Sequence, residues 1–422
     1  MMVRADAQDT LLTARDKGIP ARAIGSTASE FLATSPRLEE FWTPLVVLDD
    51  EALRGNLETM ATWCGERGLE LMPHGKTTMA PALWRRQRDA GSLGITLATM
   101  GQVRTARDAG VDSIMLANSA VDERSLRWLA GEIADPAFRF VCWADAPATV
   151  ERMETVLRAV GVPRPVDVCV ELGAPGARTG ARTVDEARAV AERIAASDVL
   201  RLSGVAGYEG ILGHDRSVAT LDAVRAYLER LVALHRDIAP LYGDGDVYVT
   251  AGGSAYFDLV ADAFHEAGAG ADGARFVLRS GAYLVHDDGF YRGISPFGDA
   301  VAQAGAGAPR FRTAMRGVAR VVSQPEPGLA LLDGGKRDFP YDEGLPRARG
   351  VAADLGEAWE PLDAPVSALS DQHAFLRADV PIGAVVALGL SHPCTAFDKW
   401  RLLPVVDSWE SGAVVDLIRT WF

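Results

Sequence analysis

Lysine is rare in this chain of 422 residues, and one lysine follows a segment with the composition of a buried strand. The 43 basic residues include only four lysines, Lys17, Lys76, Lys336 and Lys399. A guanidinium keeps its proton, whereas a partly desolvated lysine amine can lose its proton and attack a carbonyl. Lys76 lies in the run Pro-His-Gly-Lys-Thr at 73–77, which begins at the last residue of the strand candidate 69–73. It is therefore a candidate for Schiff-base chemistry, and the alternative is a surface lysine in a loop.

Glycine and serine end two later strand candidates, with Gly252, Gly253 and Ser254 at one end and Ser280 and Gly281 at the other. Glycines let backbone N–H groups approach an anion closely, and hydroxyl groups add donors. The loops after the last two strands of an eight-stranded α/β barrel commonly bind phosphate. A Gly-Gly pair alone is equally compatible with a tight turn. Together with a Schiff-base lysine, however, a phosphate site matches the needs of pyridoxal 5′-phosphate (PLP).

A second constellation lies near the C-terminus, where Ser391, His392, Pro393 and Cys394 follow one another. Two residues apart in an extended segment, His392 and Cys394 would share one face. An imidazole and a thiolate on one face suit Zn²⁺. The alternative is a buried cysteine beside a hydrogen-bonded histidine.

These groups are positioned by a regular alternation of short β-branched segments with amphipathic helical ones. The strand candidates are 69–73, 94–99, 113–118, 138–143, 166–172, 202–208, 247–253 and 276–281. Alternation of this kind implies parallel strands joined by crossover helices, and eight such strands close a (β/α)₈ barrel. An open doubly wound sheet is the alternative, but no G-x-G-x-x-G follows the first strand to support it. In a barrel, catalytic groups gather at the C-terminal ends of the strands.

The pattern changes after residue 295 to short segments separated by Pro, Gly and Asp, which is typical of antiparallel β structure. The sequence therefore predicts an α/β protein, with a (β/α)₈ TIM barrel over 44–295 and a smaller, mainly antiparallel β domain with the metal site over 296–422. Residues 1–43 are expected to pack on the second domain.

Composition limits the classes of function. Hydrophobic residues make up 48% and charged residues 24%, which excludes a disordered chain. A net charge of −14 argues against nucleic acid and against anionic membranes as partners. There is no signal-peptide pattern and no apolar run of membrane-spanning length, and four scattered cysteines suggest a reducing compartment. We therefore expect a cytoplasmic protein with a small-molecule substrate.

The motifs together resemble a known family. The runs PHGKT, E-L-G-x-x-G-x-R-T-G, G-G-S and H-x-C resemble the D-serine dehydratase and D-threonine aldolase family, which contains fold-type III PLP enzymes related to the alanine racemase barrel. The similarity extends from about Thr43 to near the C-terminus, and the stretch SHPCTAFDKW resembles the branch often labelled amino acid deaminase.

The resemblance implies roles for individual residues. Lys76 would be the Schiff-base lysine and the base for the α-proton, Arg178 would lie beside the cofactor ring, and Tyr208 would face the pyridine nitrogen. His74 would also contact the cofactor. The phosphate would be held by Gly252, Gly253, Ser254, Ser280, Gly281 and Tyr283, and the metal by His392 and Cys394. The family further implies a homodimer.

The function that this resemblance predicts is a PLP- and zinc-dependent D-3-hydroxyamino acid dehydratase, which converts a D-amino acid such as D-serine into a 2-keto acid and ammonia. In the family, H-x-C accompanies dehydratases and H-x-D accompanies aldolases. The alternatives are a D-threonine aldolase-type lyase, an amino acid racemase, a non-catalytic PLP carrier or sensor, and a metal-dependent hydrolase without PLP. One departure concerns specificity, because Thr78 and Met79 stand where many relatives have His and Lys.

Overall fold

The computed structural model describes residues 10–270, 273–299 and 308–422. The strands are β1 (Leu45–Asp49), β2 (Glu70–Leu71), β3 (Ile95–Leu97), β4 (Ser113–Leu116), β5 (Arg139–Ala144), β6 (Val166–Leu172), β7 (Leu200–Gly207), β8 (Val247–Ala251), β9 (Ala274–Leu278), β10 (Met315–Glu326), β11 (Leu329–Leu332), β12 (Arg347–Ala352), β13 (Glu360–Leu369), β14 (Ala374–Leu376), β15 (Val385–Gly389), β16 (Leu402–Val406) and β17 (Val414–Arg419).

The helices are α1 (Ala28–Leu32), α2 (Asp50–Gly65), α3 (Pro81–Asp89), α4 (Met100–Asp108), α5 (Glu123–Glu132), α6 (Pro147–Val160), α7 (Val184–Ala195), α8 (Val218–Ile238), α9 (Phe257–Glu266), α10 (Phe290–Ile294) and α11 (Pro393–Phe397). Short 3₁₀ turns lie at Ala21–Ala23, Leu38–Glu40, Gly75–Thr77, Glu209–Ile211, Ala239–Leu241 and Ala282–Leu284. Within the described ranges, none of these helices is both long and apolar enough to cross a membrane.

The chain divides into two compact units. The barrel unit comprises the described residues of 60–76 and 87–281, and the β unit comprises those of 1–59, 77–86 and 282–422. These boundaries differ from the expected division at 295, because the chain leaves the barrel unit twice. Strand β1 pairs with β10 and β16 in the antiparallel sheet, and the segment 77–86 directly after Lys76 also belongs to the β unit.

The barrel unit contains eight parallel strands in the order β2-β9-β8-β7-β6-β5-β4-β3. The two end strands are also joined, because Leu93 donates to the Leu71 carbonyl at 2.8 Å and Thr96 donates to that of Pro73 at 2.9 Å. The sheet therefore curls back on itself, which confirms the predicted barrel. Its interior is packed with side chains from successive strands, namely Met72, Met115, Val141, Trp143, Cys169, Ala206, Tyr248 and Val277.

The helices of the barrel unit follow the predicted amphipathic pattern. Helix α7 buries Ala187, Val190, Ala191 and Ile194, which recur three and four residues apart, as one face of a helix requires. Thr183 and Glu186 form a capping box at its start, which satisfies backbone N–H groups that have no partner inside the helix. The cap fixes where the loop after β6 ends.

In the β unit, nine strands form one sheet in the order β11-β14-β13-β12-β15-β10-β1-β16-β17. Strand β10 pairs with β11 as well as with β15, so six of the strands close into a ring. All of these pairings are antiparallel except that of β1 with β16. The core of this unit combines residues from the N-terminal segment, such as Leu12 and Phe31, with Val318 and Val385 of the sheet.

Candidate active site

Lys76 lies just beyond the C-terminal end of β2, in the 3₁₀ turn Gly75–Thr77, and its side chain is partly exposed. Backbone pairing continues past Pro73, although this residue has no N–H to donate. His74 still forms a parallel bridge with Thr96 of β3, and its backbone N–H donates to the Arg279 carbonyl at 3.0 Å. The turn that carries Lys76 is thus tied to both neighbouring strands.

The imidazole of His74 is held in its neutral form. Desolvation of the ring, followed by the nearby charges of Lys76, Arg279 and Arg178, holds the pKa of His74 well below its usual value. Its Nδ1 is buried and has no hydrogen-bond partner among the described residues. A neutral ring surrounded by cations can accept a hydrogen bond from a bound group, but it adds no charge of its own.

Gly281 allows the end of β9 to approach the Lys76 turn. A Cβ at this position would lie 2.6 Å from the His74 carbonyl oxygen and 2.9 Å from the His74 Cβ, which is closer than atoms pack. Any side chain would force the two strand ends apart. The glycine predicted to face a phosphate is therefore also needed for the packing around His74.

The backbone N–H groups of Gly252 and Gly253 are already bonded within the protein. Both donate to the carboxylate of Glu209, at 3.0 Å to Oε2 and 2.6 Å to Oε1 respectively. Glu209 is fully buried and follows β7, the strand next to β8. In this respect the structure differs from the expectation that these two amides bind a phosphate.

Ser280 supports the same loop from the opposite side. Its hydroxyl donates to the Gly253 carbonyl at 2.9 Å, and the side chain is 1% exposed. Gly253 has no room for a side chain, since a Cβ would lie 2.8 Å from the Tyr208 ring. Ser254, the next residue, is also buried. The predicted residues Gly252, Gly253, Ser254, Ser280 and Gly281 therefore gather at the ends of β8 and β9.

Arg178 and Tyr208 contact one another. The Arg178 guanidinium carbon lies 4.6 Å from the centre of the Tyr208 ring. The Tyr208 backbone N–H donates to the Tyr227 hydroxyl at 3.0 Å, and this hydroxyl donates to the Leu172 carbonyl at 2.6 Å. These bonds link the end of β6 to the end of β7. Arg178 follows β6 and Tyr208 follows β7, so the two residues predicted to lie beside the cofactor lie next to each other.

Arg279 is a further charged group at this end of the barrel, and the sequence analysis gave it no role. The side chain is 1% exposed, stacks on Trp143 at 4.8 Å, and donates to Thr250 Oγ1 at 2.6 Å and to the Gly207 carbonyl. Burial lowers the pKa of Arg279, while the negative charge of Glu209 acts in the opposite direction. An arginine inside an apolar strand was the signal that could have identified it, because such a residue needs buried partners.

The sequence motifs also gave no role to Glu171, which lies at the end of β6. The residue is 5% exposed, and burial raises the pKa of its carboxyl group to about 7. Thr179 donates to Oε1 at 3.0 Å, but Oε2 has no partner among the described residues. The same holds for the Trp143 indole N–H and for Nε of Arg279.

These unpaired atoms fit a bound polar molecule. Buried polar atoms in proteins are nearly always hydrogen-bonded, and four such atoms near the strand ends are available to bond a bound group. They belong to His74, Trp143, Glu171 and Arg279. A PLP molecule carries ring, hydroxyl and phosphate acceptors and, when protonated, a ring donor, so the residues present fit this cofactor.

The remaining predicted residues lie in the β unit. Tyr283 is 2% exposed, and its ring centre lies 5.9 Å from that of Phe311. Thr78 and Met79, which depart from the family pattern, are 3% and 2% exposed, and the Met79 carbonyl accepts from Trp421 at 2.7 Å. Both side chains are therefore part of the packing of this unit.

His392 and Cys394 are adjacent in space, but the predicted extended segment is wrong. His392 has a left-handed backbone with φ 59°, and Cys394 lies in the first turn of α11. Pro393 at the first helical position favours the start of a helix over an extended segment. The turn nevertheless brings the two side chains into hydrogen-bond contact.

His392 has the surroundings of a metal ligand. Its Nδ1 is bonded to Asp342, whose other oxygen accepts from Thr395 at 2.6 Å. Burial acts to lower the pKa of His392, but the interactions with Cys394 and Asp342 outweigh it and raise the pKa to about 9. A carboxylate that fixes one ring nitrogen leaves the other for a metal. Cys394 is partly exposed and contacts Thr77 Oγ1 at 3.6 Å.

The His392–Cys394 pair fits Zn²⁺ as two of its four usual ligands. Within the described ranges, no group of three or more His, Cys, Asp or Glu side chains is arranged to hold a metal ion. A metal at this pair would therefore complete its shell with water or substrate oxygen, as an open catalytic site does.

Two family models match the chain. The model described as "Alanine racemase, N-terminal domain" matches residues 48–270, which is more than half of the 422 residues. The model described as "Putative serine dehydratase domain" matches residues 314–406, a range that includes His392 and Cys394. Together they cover seven of the eight barrel strands, β2 to β8, and most of the antiparallel sheet.

Individual relatives agree with these models. D-threonine aldolase from Arthrobacter sp is 27% identical over 386 residues, covering 88% of this chain and 92% of the aldolase. The crystal structure of D-threonine aldolase from Filomicrobium marinum has a TM-score of 0.74 and 25% identity, covering 91% of this chain and 96% of that chain.

A relative with a different reaction shares the fold. D-threo-3-hydroxyaspartate dehydratase from Delftia sp. HT23 has a TM-score of 0.70 and 20% identity, covering 91% of this chain and 99% of that chain. These comparisons confirm the resemblance drawn from the sequence motifs. The chain therefore belongs to the alanine racemase N-terminal domain family of fold-type III PLP enzymes, and its second domain is of the D-serine dehydratase type.

Proposed function

We propose that this protein is a PLP-dependent lyase of D-3-hydroxyamino acids, and that it eliminates the β-hydroxyl group to give a 2-keto acid and ammonia. The observation that carries the proposal is Lys76, a partly exposed amine at the C-terminal end of β2, in a barrel where four buried polar atoms near the strand ends lack partners among the described residues. The relatives support the substrate class, since an aldolase and a dehydratase both act on D-amino acids with a 3-hydroxyl group.

Several residues of the barrel unit would each have a separate role in binding the cofactor or moving the α-proton. Lys76 would hold PLP covalently and then, as a free amine, remove the α-proton of the substrate. When bound, PLP withdraws electrons from the α-carbon. Arg178 and Tyr208 would lie beside the cofactor ring, and neutral His74 would accept a hydrogen bond without competing for the proton. Ser254 and Gly281 would receive the phosphate.

His392 and Cys394 would hold Zn²⁺, oriented by the Asp342 carboxylate. A zinc ion at this pair would supply Lewis acidity toward a hydroxyl leaving group. Cys394 in the H-x-C pattern favours elimination over aldol cleavage. Aldol cleavage to glycine and an aldehyde is the second candidate, because the similarity to D-threonine aldolase extends over 88% of this chain.

Product analysis separates these reactions. We expect purified protein supplied with PLP and Zn²⁺ to release a 2-keto acid and ammonia in equal amounts from D-serine, D-threonine or D-3-hydroxyaspartate, and to leave the L-enantiomers intact. Glycine with an aldehyde would show the aldolase instead, and inversion at the α-carbon would show a racemase. A PLP-bound protein that changes none of these substrates would contradict the proposal.

Variants and metal removal define the parts of the site. Lys76→Ala should abolish turnover, whereas Lys336→Ala, a change at an exposed lysine against the Tyr341 ring, should retain it. Exhaustive chelation should remove activity, and added Zn²⁺ should restore it. Full activity after chelation would exclude a catalytic role for the His392–Cys394 metal.

A further inference from the structure

Glu209 places a negative charge where the sequence predicts an anion-binding loop. Its carboxylate is completely buried and accepts both amides of the Gly-Gly pair. Successive backbone N–H groups that point to one side normally form a concave site for an external anion. Here the protein supplies the anion itself, from a residue 43 positions away from Gly252 along the chain.

The loop at 252–254 is braced on both sides. Glu209 holds the N–H of Gly253 from the β7 side, and Ser280 donates to the Gly253 carbonyl from the β9 side. Gly252 has φ +100°, a backbone conformation that other residues rarely adopt and that the bond from its own N–H to Glu209 helps to stabilise. Hydrogen bonds within the protein therefore define the shape of this loop.

The charge of Glu209 is balanced inside the barrel. Arg279 is fully buried, and Glu209 is the charge that most strongly favours its cationic form. A carboxylate without such a partner would repel a phosphate dianion placed nearby. With Arg279 beside it, Glu209 can shape the loop without this cost.

We propose that Glu209 is a positioning residue for the cofactor phosphate. Its carboxylate takes the Gly252 and Gly253 amides, and the loop that it fixes presents the following residue, Ser254, to the phosphate. The glycine pair thus supports the loop, and its two amides do not donate hydrogen bonds to the phosphate. This inference rests on the proposed PLP function of Lys76.

The test compares PLP with pyridoxal, which can form the same bond with Lys76 but has no phosphate. We measure the dissociation constants of both by absorbance titration of cofactor-free protein. In Glu209→Gln, one amide keeps a neutral acceptor and the other faces an NH₂ group, so one bond is lost and the other is no longer charge-assisted. We expect affinity for PLP to fall by about tenfold or more, while affinity for pyridoxal changes by less than about twofold.

Glu154→Gln is the matched control. Glu154 is another buried glutamate of the barrel unit, 1% exposed, but it lies in α6 and pairs with Arg193 and Arg158. Its variant should keep the wild-type ratio of the two affinities. If Glu209→Gln does not fold, Glu209→Asp is used, because a side chain one methylene shorter cannot reach both amides and should lower the same ratio.

Two results overturn the inference. A folded Glu209 variant with the wild-type ratio of PLP to pyridoxal affinity, or one that loses both affinities equally, shows that the carboxylate does not act through the phosphate. If the wild-type protein binds neither compound at Lys76, the proposed function fails and the inference fails with it. The two failures are therefore distinguishable.

Discussion

At the scale of single residues, the barrel unit concentrates charges that are only partly satisfied. Glu171 is the clearest case, because burial, opposed by the Thr179 hydrogen bond, raises the pKa of its carboxyl group to about 7. One of its oxygens has no partner among the described residues. Such a group exists in both protonation states near neutral pH, which is where acid–base chemistry operates.

This raised pKa predicts how stability depends on pH. The folded protein binds the Glu171 proton more tightly than the unfolded chain, in which the pKa is near 4.5. The stability that this proton contributes is therefore complete below about pH 4.5 and is lost as the pH rises through about 7. The shift corresponds to roughly 3 kcal/mol at most.

Glu171→Gln removes this dependence. Relative to the variant, cofactor-free wild-type protein should lose roughly 1–3 kcal/mol of unfolding free energy between about pH 4.5 and about pH 8. Urea unfolding at several pH values measures the difference. A difference between the two proteins that is the same at all pH values would show that Glu171 ionises normally.

The sequence could identify residues whose type is rare or whose motif is compact. Lys76 stood out because lysine is scarce, and His392 and Cys394 because they are close in sequence. Glu209 had no such signal, since its role depends on contacts across neighbouring strands with residues such as Gly252, which lies 43 positions further along the chain. These contacts exist only once the barrel has formed.

At the scale of elements, one arginine side chain makes several hydrogen bonds to the loop after β6. The Arg182 guanidinium donates to four consecutive loop carbonyls, those of Ala177, Arg178, Thr179 and Gly180. The loop carries Arg178 to the Tyr208 ring and Thr179 to Glu171. Five rigid donors can serve several acceptors at once, and an ammonium group cannot match this geometry.

Arg182→Lys should therefore loosen the loop while leaving the barrel intact. We expect trypsin to cleave after the exposed Arg178 about tenfold faster, because one or two hydrogen bonds from a charged group are lost. The matched control is Arg188→Lys on α7, where the arginine pairs with Asp237. If both variants are cleaved at the wild-type rate, Arg182 does not hold the loop.

Element prediction succeeded where one periodicity ran through a whole segment. All eight barrel strands overlap the predicted strand segments, and the amphipathic helices α6 and α7 lie between them as the alternation predicts. The extended form of 391–394 was wrong, because a proline-initiated helix turn was mistaken for a strand. The place of β1 was not predicted either, since a short apolar segment carries no signal for which sheet it joins.

At the scale of the whole molecule, two sequence patterns correspond to two units with separate cores. The change to antiparallel strands near residue 315 was predictable from its turn residues. The membership of 77–86 and 282–295 in the β unit was not, because domain membership depends on long-range contacts. The expected homodimer stays a prediction.

The central claim is that Lys76 binds PLP, and one labelling experiment tests it most directly. The protein is incubated with PLP, its visible spectrum is recorded, and borohydride is added before peptide mapping by mass spectrometry. A yellow protein with the reduced label on Lys76, and none on Lys17, Lys336 or Lys399, is the result that this account predicts. A protein that stays colourless and unlabelled, or a label on one of the other lysines, would contradict it.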